Sequence, residues 1–229
     1  MITKRTDMII LAAIAAVFAQ LPIATSEAAG SGARSSPTDV DAASSRLLAA
    51  AEPFEALTET AFSAQGLQLD SAIAAADRAA QGSRDLLPTA SAAQLEMRLA
   101  EIHAARKSDD RAGIAIPSVE AYRILVSAAR PGKVPTAVNL MDYAGFRYDA
   151  DFRAKPIRWT DMKAAAAYGR QQWASISGTV VDSALKLNVE AALNDMQAGA
   201  NEKNAFKARR SVNAELGHVD ELETYFSKR

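Results

Sequence analysis

The sequence predicts an all-α fold, an elongated antiparallel helical bundle of about six to eight helical segments ending in a long helical hairpin. Three observations point there. From Trp159 to Ala198, apolar or small residues stand at Trp159, Met162, Ala166, Gly169, Trp173, Ile176, Val180, Ala184, Leu187, Ala191, Asn194 and Ala198, spaced by threes and fours with no proline. Read as one helix, this stretch would be roughly 60 Å long and would need other long helices to cover its stripe. The composition is alanine-rich and poor in strand-forming runs. The remaining segments after residue 37 carry the same helical spacing.

A first helix is expected from about Thr38 or Asp39 to Ala51, where Pro53 interrupts it. Phe54, Leu57, Ala61 and Phe62 then make a short piece that stops at Gly66. Leu67 to Leu87 forms the next segment, with Leu69, Ile73, Ala76 and Ala80 on one side. Pro88 breaks it, and Leu95, Leu99 and Ile102 carry another helix to Lys107. Ser108 to Gly113 reads as a turn, with Pro117 in the first turn of a helix through Val119, Tyr122, Val126 and Ala129. After Arg130-Pro131-Gly132 the chain resumes at Pro135 and runs through Leu140, Ala144 and Tyr148 to Phe152. Thr160 is the expected N-cap of the long helix, with Asp161 in its first turn. Gly199-Ala200-Asn201 is the last connection, before a helix lined by Ala205, Ala208, Val212, Leu216, Val219, Leu222 and Phe226. A turn that short makes the last two helices antiparallel neighbours.

At the N-terminus, Lys4 and Arg5 precede an apolar run from Met8 to Ala19, followed by Pro22 and Ser26-Glu27-Ala28. That order predicts a secretory signal peptide over residues 1–28, cleaved after Ala28, or after Ser26 as the second choice. An uncleaved anchor fits less well: the run falls short of the roughly 20 residues of a spanning helix, and Gln20 and Pro22 interrupt it. Residues 29–37 read as a flexible linker and 38–229 as a single bundle domain. The chain has no cysteine, which excludes disulfides, thiolate metal sites and c-type haem attachment. Periplasmic or secreted localisation follows, with no stable membrane span after cleavage. The net charge of −1 gives no argument for nucleic acid as a partner.

The densest local feature is aromatic. Seven of the fourteen aromatic residues, Tyr143, Phe146, Tyr148, Phe152, Trp159, Tyr168 and Trp173, fall within 31 residues. They either fill one end of an alanine-rich bundle or line a pocket. On the pocket reading the ligand-binding set is Asp142, Tyr143, Phe146, Arg147, Trp159 and Trp173, with Asp142 and Arg147 pointing inward. Asp149, Asp151, Arg153, Lys155, Arg158, Asp161 and Arg170 are expected on a solvated face, with Arg147 and Asp151 an i, i+4 surface pair.

Glu215 and His218 form the one Glu-x-x-His pair, the pattern that recurs twice in dinuclear carboxylate bundles. The only other histidine, His103, has Ala100 three residues before it, so a symmetric dinuclear site is excluded. A mononuclear metal site at Glu215 and His218 remains, or haem b held by His218 with Met97, Met141, Met162 or Met196. Nothing in the sequence requires a cofactor. Lys203, Lys207, Arg209 and Arg210 could meet an anion or anionic lipid, but with Glu202 and Glu215 flanking them they read first as a solvated helix face. A Gly-x-Ser-x-Gly elbow, a phosphate-cradling glycine loop and a His-Glu-x-x-His motif are all missing. The expectation is therefore an exported, non-catalytic bundle that binds a small molecule or a periplasmic protein. The alternatives are the metal or haem bundle and a scaffold or stress-response protein with a helical dimer seam registered by a buried Asn194.

Overall fold

Leu47, Ala51, Phe54 and Leu57 recur along one face and are all buried. That stripe carries the first helix, α1 (Pro37–Thr60), through Pro53 without a break. The expected interruption at Pro53 does not occur: burial of the large side chains, about 1.5–3 kcal/mol each, outweighs the roughly 3 kcal/mol that an internal proline costs. The computed structural model describes residues 37–229. The predicted signal peptide (1–28) and the linker as far as residue 36 lie outside the described residues.

The other elements follow as α2 (Gly66–Ser83), a 3-10 turn at Arg84–Leu86, α3 (Thr89–Lys107), α4 (Arg111–Ala128), α5 (Thr136–Arg153), α6 (Trp159–Ile176), a 3-10 turn at Ser177–Thr179, α7 (Ser183–Asn201) and α8 (Ala205–Ser227). These eight α-helices, with no strand among the described residues, form the expected all-α helical bundle. Side-chain caps start three of them. Asp110 accepts from Gly113 N at 2.9 Å, Asp182 from Ala184 N at 2.9 Å and Leu185 N at 3.0 Å, and Asn204 from Lys207 N at 3.0 Å. The Asp110 cap starts α4 earlier than the expected turn to Gly113, leaving Pro117 inside the helix rather than in its first turn. Thr160 is not a cap: Trp159 already opens α6, behind Arg158.

The largest correction concerns the stretch from Trp159 to Ala198, which is two helices rather than one of roughly 60 Å. Gly178, the β-branched Thr179, Val180 and Val181, and the Asp182 cap end one helix and start the next. The break also resets the buried face. Met162, Ala166, Gly169, Trp173, Ile176 and Val180 are buried as expected, but Ala184, Leu187, Ala191 and Asn194 are exposed. Leu185, Val189, Leu193 and Met196 take their place. Asn194 accepts a hydrogen bond from Arg170 on α6, so it is not a buried register residue. The expected C-terminal hairpin is α7 packed on α8.

Two cores share α5. One is built from α1 to α4 together with Tyr143, Phe146 and Ala150, the other from α6 to α8 together with Val138, Met141 and Tyr148. At 3.6 residues per turn these two sets lie on opposite faces of α5, and its ionisable residues fall on the borders between them, Asp142 on one and Arg147 and Asp151 on the other. Among the described residues no helix is long and apolar enough to cross a membrane.

Candidate functional site

α4 supplies the first half of a buried polar network. Its run from Ile114 to Val126 is almost wholly buried, yet it contains Glu120, Tyr122 and the partly buried Arg123. Buried polar groups require partners, and α5 provides them. Tyr143 Oη donates to Glu120 Oε1 at 2.8 Å, Arg147 donates to the same oxygen, and Arg123 Nε donates to Glu120 Oε2 at 3.1 Å. Arg147 Nε donates in turn to Asp151 Oδ2 at 2.9 Å. The Arg123 guanidinium lies 5.6 Å from the centre of the Tyr143 ring, which meets Tyr168 of α6 edge-on at 5.4 Å.

Burial and cations oppose each other along this chain of bonds. Burial pushes the Glu120 carboxyl up, but the Tyr143 hydrogen bond and the Arg123 and Arg147 charges outweigh it and hold the group below its ordinary value. At Asp151 burial wins over Arg147, and the carboxyl is pushed up to about 6. The Arg147–Asp151 pair is thus formed, but inside the protein rather than on the expected solvated face. Its side chains are 19% and 0% exposed.

A second polar seam lies on the opposite border of α5. Tyr122 Oη donates to Asp142 Oδ2 at 3.1 Å. Beside Asp142 stands Glu215 of α8, 1% exposed, with no hydrogen-bond partner for either carboxyl oxygen. Gly145 makes the approach feasible, because a Cβ there would collide with Glu215 Oε2 and with the Leu216 side chain. Desolvation pushes both carboxyls well above the ordinary range; Asp142 raises Glu215 further, and Glu55, Glu223 and Asp220 raise Asp142 against the lowering effect of the Tyr122 hydrogen bond.

A cavity of about 1020 Å³ lies at the end of the bundle where the α3–α4 and α5–α6 connections meet. Glu101 of α3, Asp109 and Asp110 of the first connection and Arg111 at the start of α4 come to it from one side, and Arg153 at the end of α5 with Lys155 and Arg158 of the second connection from the other, with Phe62 also in the lining. Arg153 is committed: it pairs with Asp149 at 2.7 Å and stacks over Phe62 at 5.2 Å. Arg158 is held loosely, 3.6 Å from Asp151 and 3.8 Å from Asp161, with its side chain 47% exposed. These separations exceed hydrogen-bond length, so its donors are free to turn to a ligand.

The six residues of the sequence-derived ligand set do not surround one space. Tyr143 and Phe146 face the α1–α4 core, Trp173 belongs to the α5–α8 core, and half-buried Trp159 packs against that same core. Asp142 and Arg147 do point inward, to Tyr122 and to Glu120 with Asp151. Glu215 and His218 diverge: Glu215 turns to α5, while His218 Nδ1 lies 3.1 Å from Glu221 Oε2. Among the described residues no group of three or more acidic or histidine side chains is set to hold a metal ion. Of the haem-ligand methionines considered, Met141, Met162 and Met196 are fully buried in the second core and Met97 is exposed.

Glu120, Tyr122 and Arg123 were not singled out by sequence reasoning, although polar residues inside so apolar a run are a usable signal. The cavity residues offered none, since two distant connections supply them. No protein-family model matches the chain, and no curated protein or solved structure matches it either.

Proposed function

We propose that this chain is an exported, non-catalytic helical-bundle protein that binds a small zwitterionic ligand, of amino-acid or short-peptide size, in the cavity between the α3–α4 and α5–α6 connections. The observation that carries the reading is the division of charge around that cavity. Glu101, Asp109 and Asp110 line one side with Arg111, which pairs with Asp109, and Arg153, Lys155 and Arg158 line the other, so the uncompensated cations gather on the α5–α6 side of a space of about 1020 Å³. Such a division suits a molecule with separate positive and negative ends better than a simple anion or cation. Arg158 is the group placed to receive the carboxylate, by a charge-assisted bond that Asp151 and Asp161 only weakly contest. Both histidines stand apart from the network, His103 beside Asp77 and His218 beside Glu221, which favours binding over acid–base catalysis.

Isothermal titration of the mature protein with free amino acids and di- and tripeptides tests this. Compounds with both termini free are expected to bind, and amidation of the carboxylate or Arg158→Ala is expected to weaken binding about tenfold or more. Equal binding of blocked and free peptides, or heat from none of them, would rule the reading out.

Export has its own check. Intact-mass measurement of protein from the periplasmic fraction is expected to give a chain beginning at Ala29. An unprocessed chain retained in the cytoplasm would remove the localisation from the proposal.

A further inference from the structure

The seam between α5 and α8 holds two buried carboxyls and no countercharge. Glu215 is 1% exposed, both its oxygens lack hydrogen-bond partners, and it is pressed against the backbone of α5 at Gly145. Asp142 lies one turn earlier on α5, buried, with the Tyr122 hydroxyl of α4 as its hydrogen-bond donor. The remaining charges that reach Asp142 are also acidic, Glu55 on α1 and Glu223 and Asp220 on α8. Glu52 and Glu59 add to the negative field on Glu55. On α6, Arg170 is exposed and engaged with Asn194 of α7. Among the described residues, no lysine, arginine or histidine forms an ion pair with Asp142, Glu215, Glu55 or Glu223.

An ionised carboxylate in such a place is opposed by desolvation and by the acidic neighbours, with only the Tyr122 hydrogen bond favouring it at Asp142, while a neutral carboxylic acid escapes the repulsion and incurs the smaller desolvation cost of an uncharged polar group. We propose that the α1–α5–α8 seam is a proton-operated latch, closed when Asp142 and Glu215 are protonated and loosened at α8 when they ionise. The direction is fixed by linkage. Burial and like charge raise the folded-state carboxyls, with Glu55 pushed up to about 7 and Asp142, Glu215 and Glu223 also raised. At these four groups the folded chain therefore holds more protons than the unfolded one from the ordinary carboxyl range upward. The stabilisation is complete below the ordinary carboxyl range and is lost as pH rises through the raised values. Bundles dominated by exposed ion pairs have the opposite slope in acid.

Thermal unfolding and amide hydrogen exchange between pH 5 and pH 8 test the latch, on the wild type and on Asp142→Asn/Glu215→Gln. The amides imitate the protonated acids. Wild-type Tm is expected to fall from pH 5 to pH 8, and the variant to lose most of that slope. At pH 8 the variant's α8 amides should exchange more slowly than those of the wild type, by about tenfold or more. A variant with the wild-type slope, or wild-type α8 amides equally protected at both pH values, would overturn the proposal. The wild type also provides a reading that needs no variant: the infrared carboxylic-acid C=O band should persist at pH 7 and vanish at higher pH as α8 protection drops. Absence of that band at pH 7 would equally overturn the latch.

Discussion

Arg147→Met is expected to lower folding stability by about 3 kcal/mol at pH 7, the low end for breaking a buried ion pair. The guanidinium donates to Glu120 and to Asp151, and methionine would keep the packing of the stem while leaving two carboxylates without their shared cation. The low end applies because the Arg147 side chain keeps 19% exposure, which lets water moderate the loss. The deficit should shrink towards pH 5. Asp151 already titrates near 6 beside the arginine, and without it both acids take up protons more readily and need no cation once neutral. Urea unfolding of both proteins at pH 7 and pH 5 reads the difference. An equal deficit at both would mean that packing, not charge, is what Arg147 contributes.

Trp173→Ala should cost about 3–5 kcal/mol, the range for truncating a large core aromatic. Trp173 is buried in the core shared by α5 to α8, and its indole Nε1 has no hydrogen-bond partner, so the loss is one of apolar contact and of the cavity left behind. Ligand affinity at the loop-end cavity should stay unchanged, measured under conditions where the variant is folded. A stable variant that no longer binds would return Trp173 to the ligand-binding set.

The helical class was legible because burial repeats at threes and fours from Leu47 to Leu222, and that period has one common explanation. Its phase was less legible, because small residues make stripes degenerate. Beyond Val180, both Ala184-Leu187-Ala191 and Leu185-Val189-Ala192 obey the spacing, and only the break at Gly178 selects the second. That break was signalled by a glycine, a β-branched run and an aspartate, each weak alone. Pro53 erred the other way, a strong local signal overridden by the buried face on either side of it. At the site, Asp142 and Arg147 were recognisable from their place beside apolar neighbours. Their partners Tyr122 and Glu120 were not, because pairing depends on which helix lies alongside, and the opposed charges of the cavity depend on two connections meeting in space.

The sharing of α5 bears on the order in which the chain can be completed. The first four helices cannot close their interior with their own side chains, since Tyr143, Phe146 and Ala150 belong to it. A chain emerging N-terminus first, from a ribosome or through an export channel, therefore carries an unfinished apolar surface until about residue 150 has followed. The last three helices have the reciprocal need, because Val138, Met141 and Tyr148 complete their side. Severing the chain in the Pro131-Gly132 connection would leave one fragment without its lid and give the other a helix with an uncovered face. The Pro131-Gly132 connection is thus expected not to separate independently folding parts, because each side lacks core residues that α5 supplies.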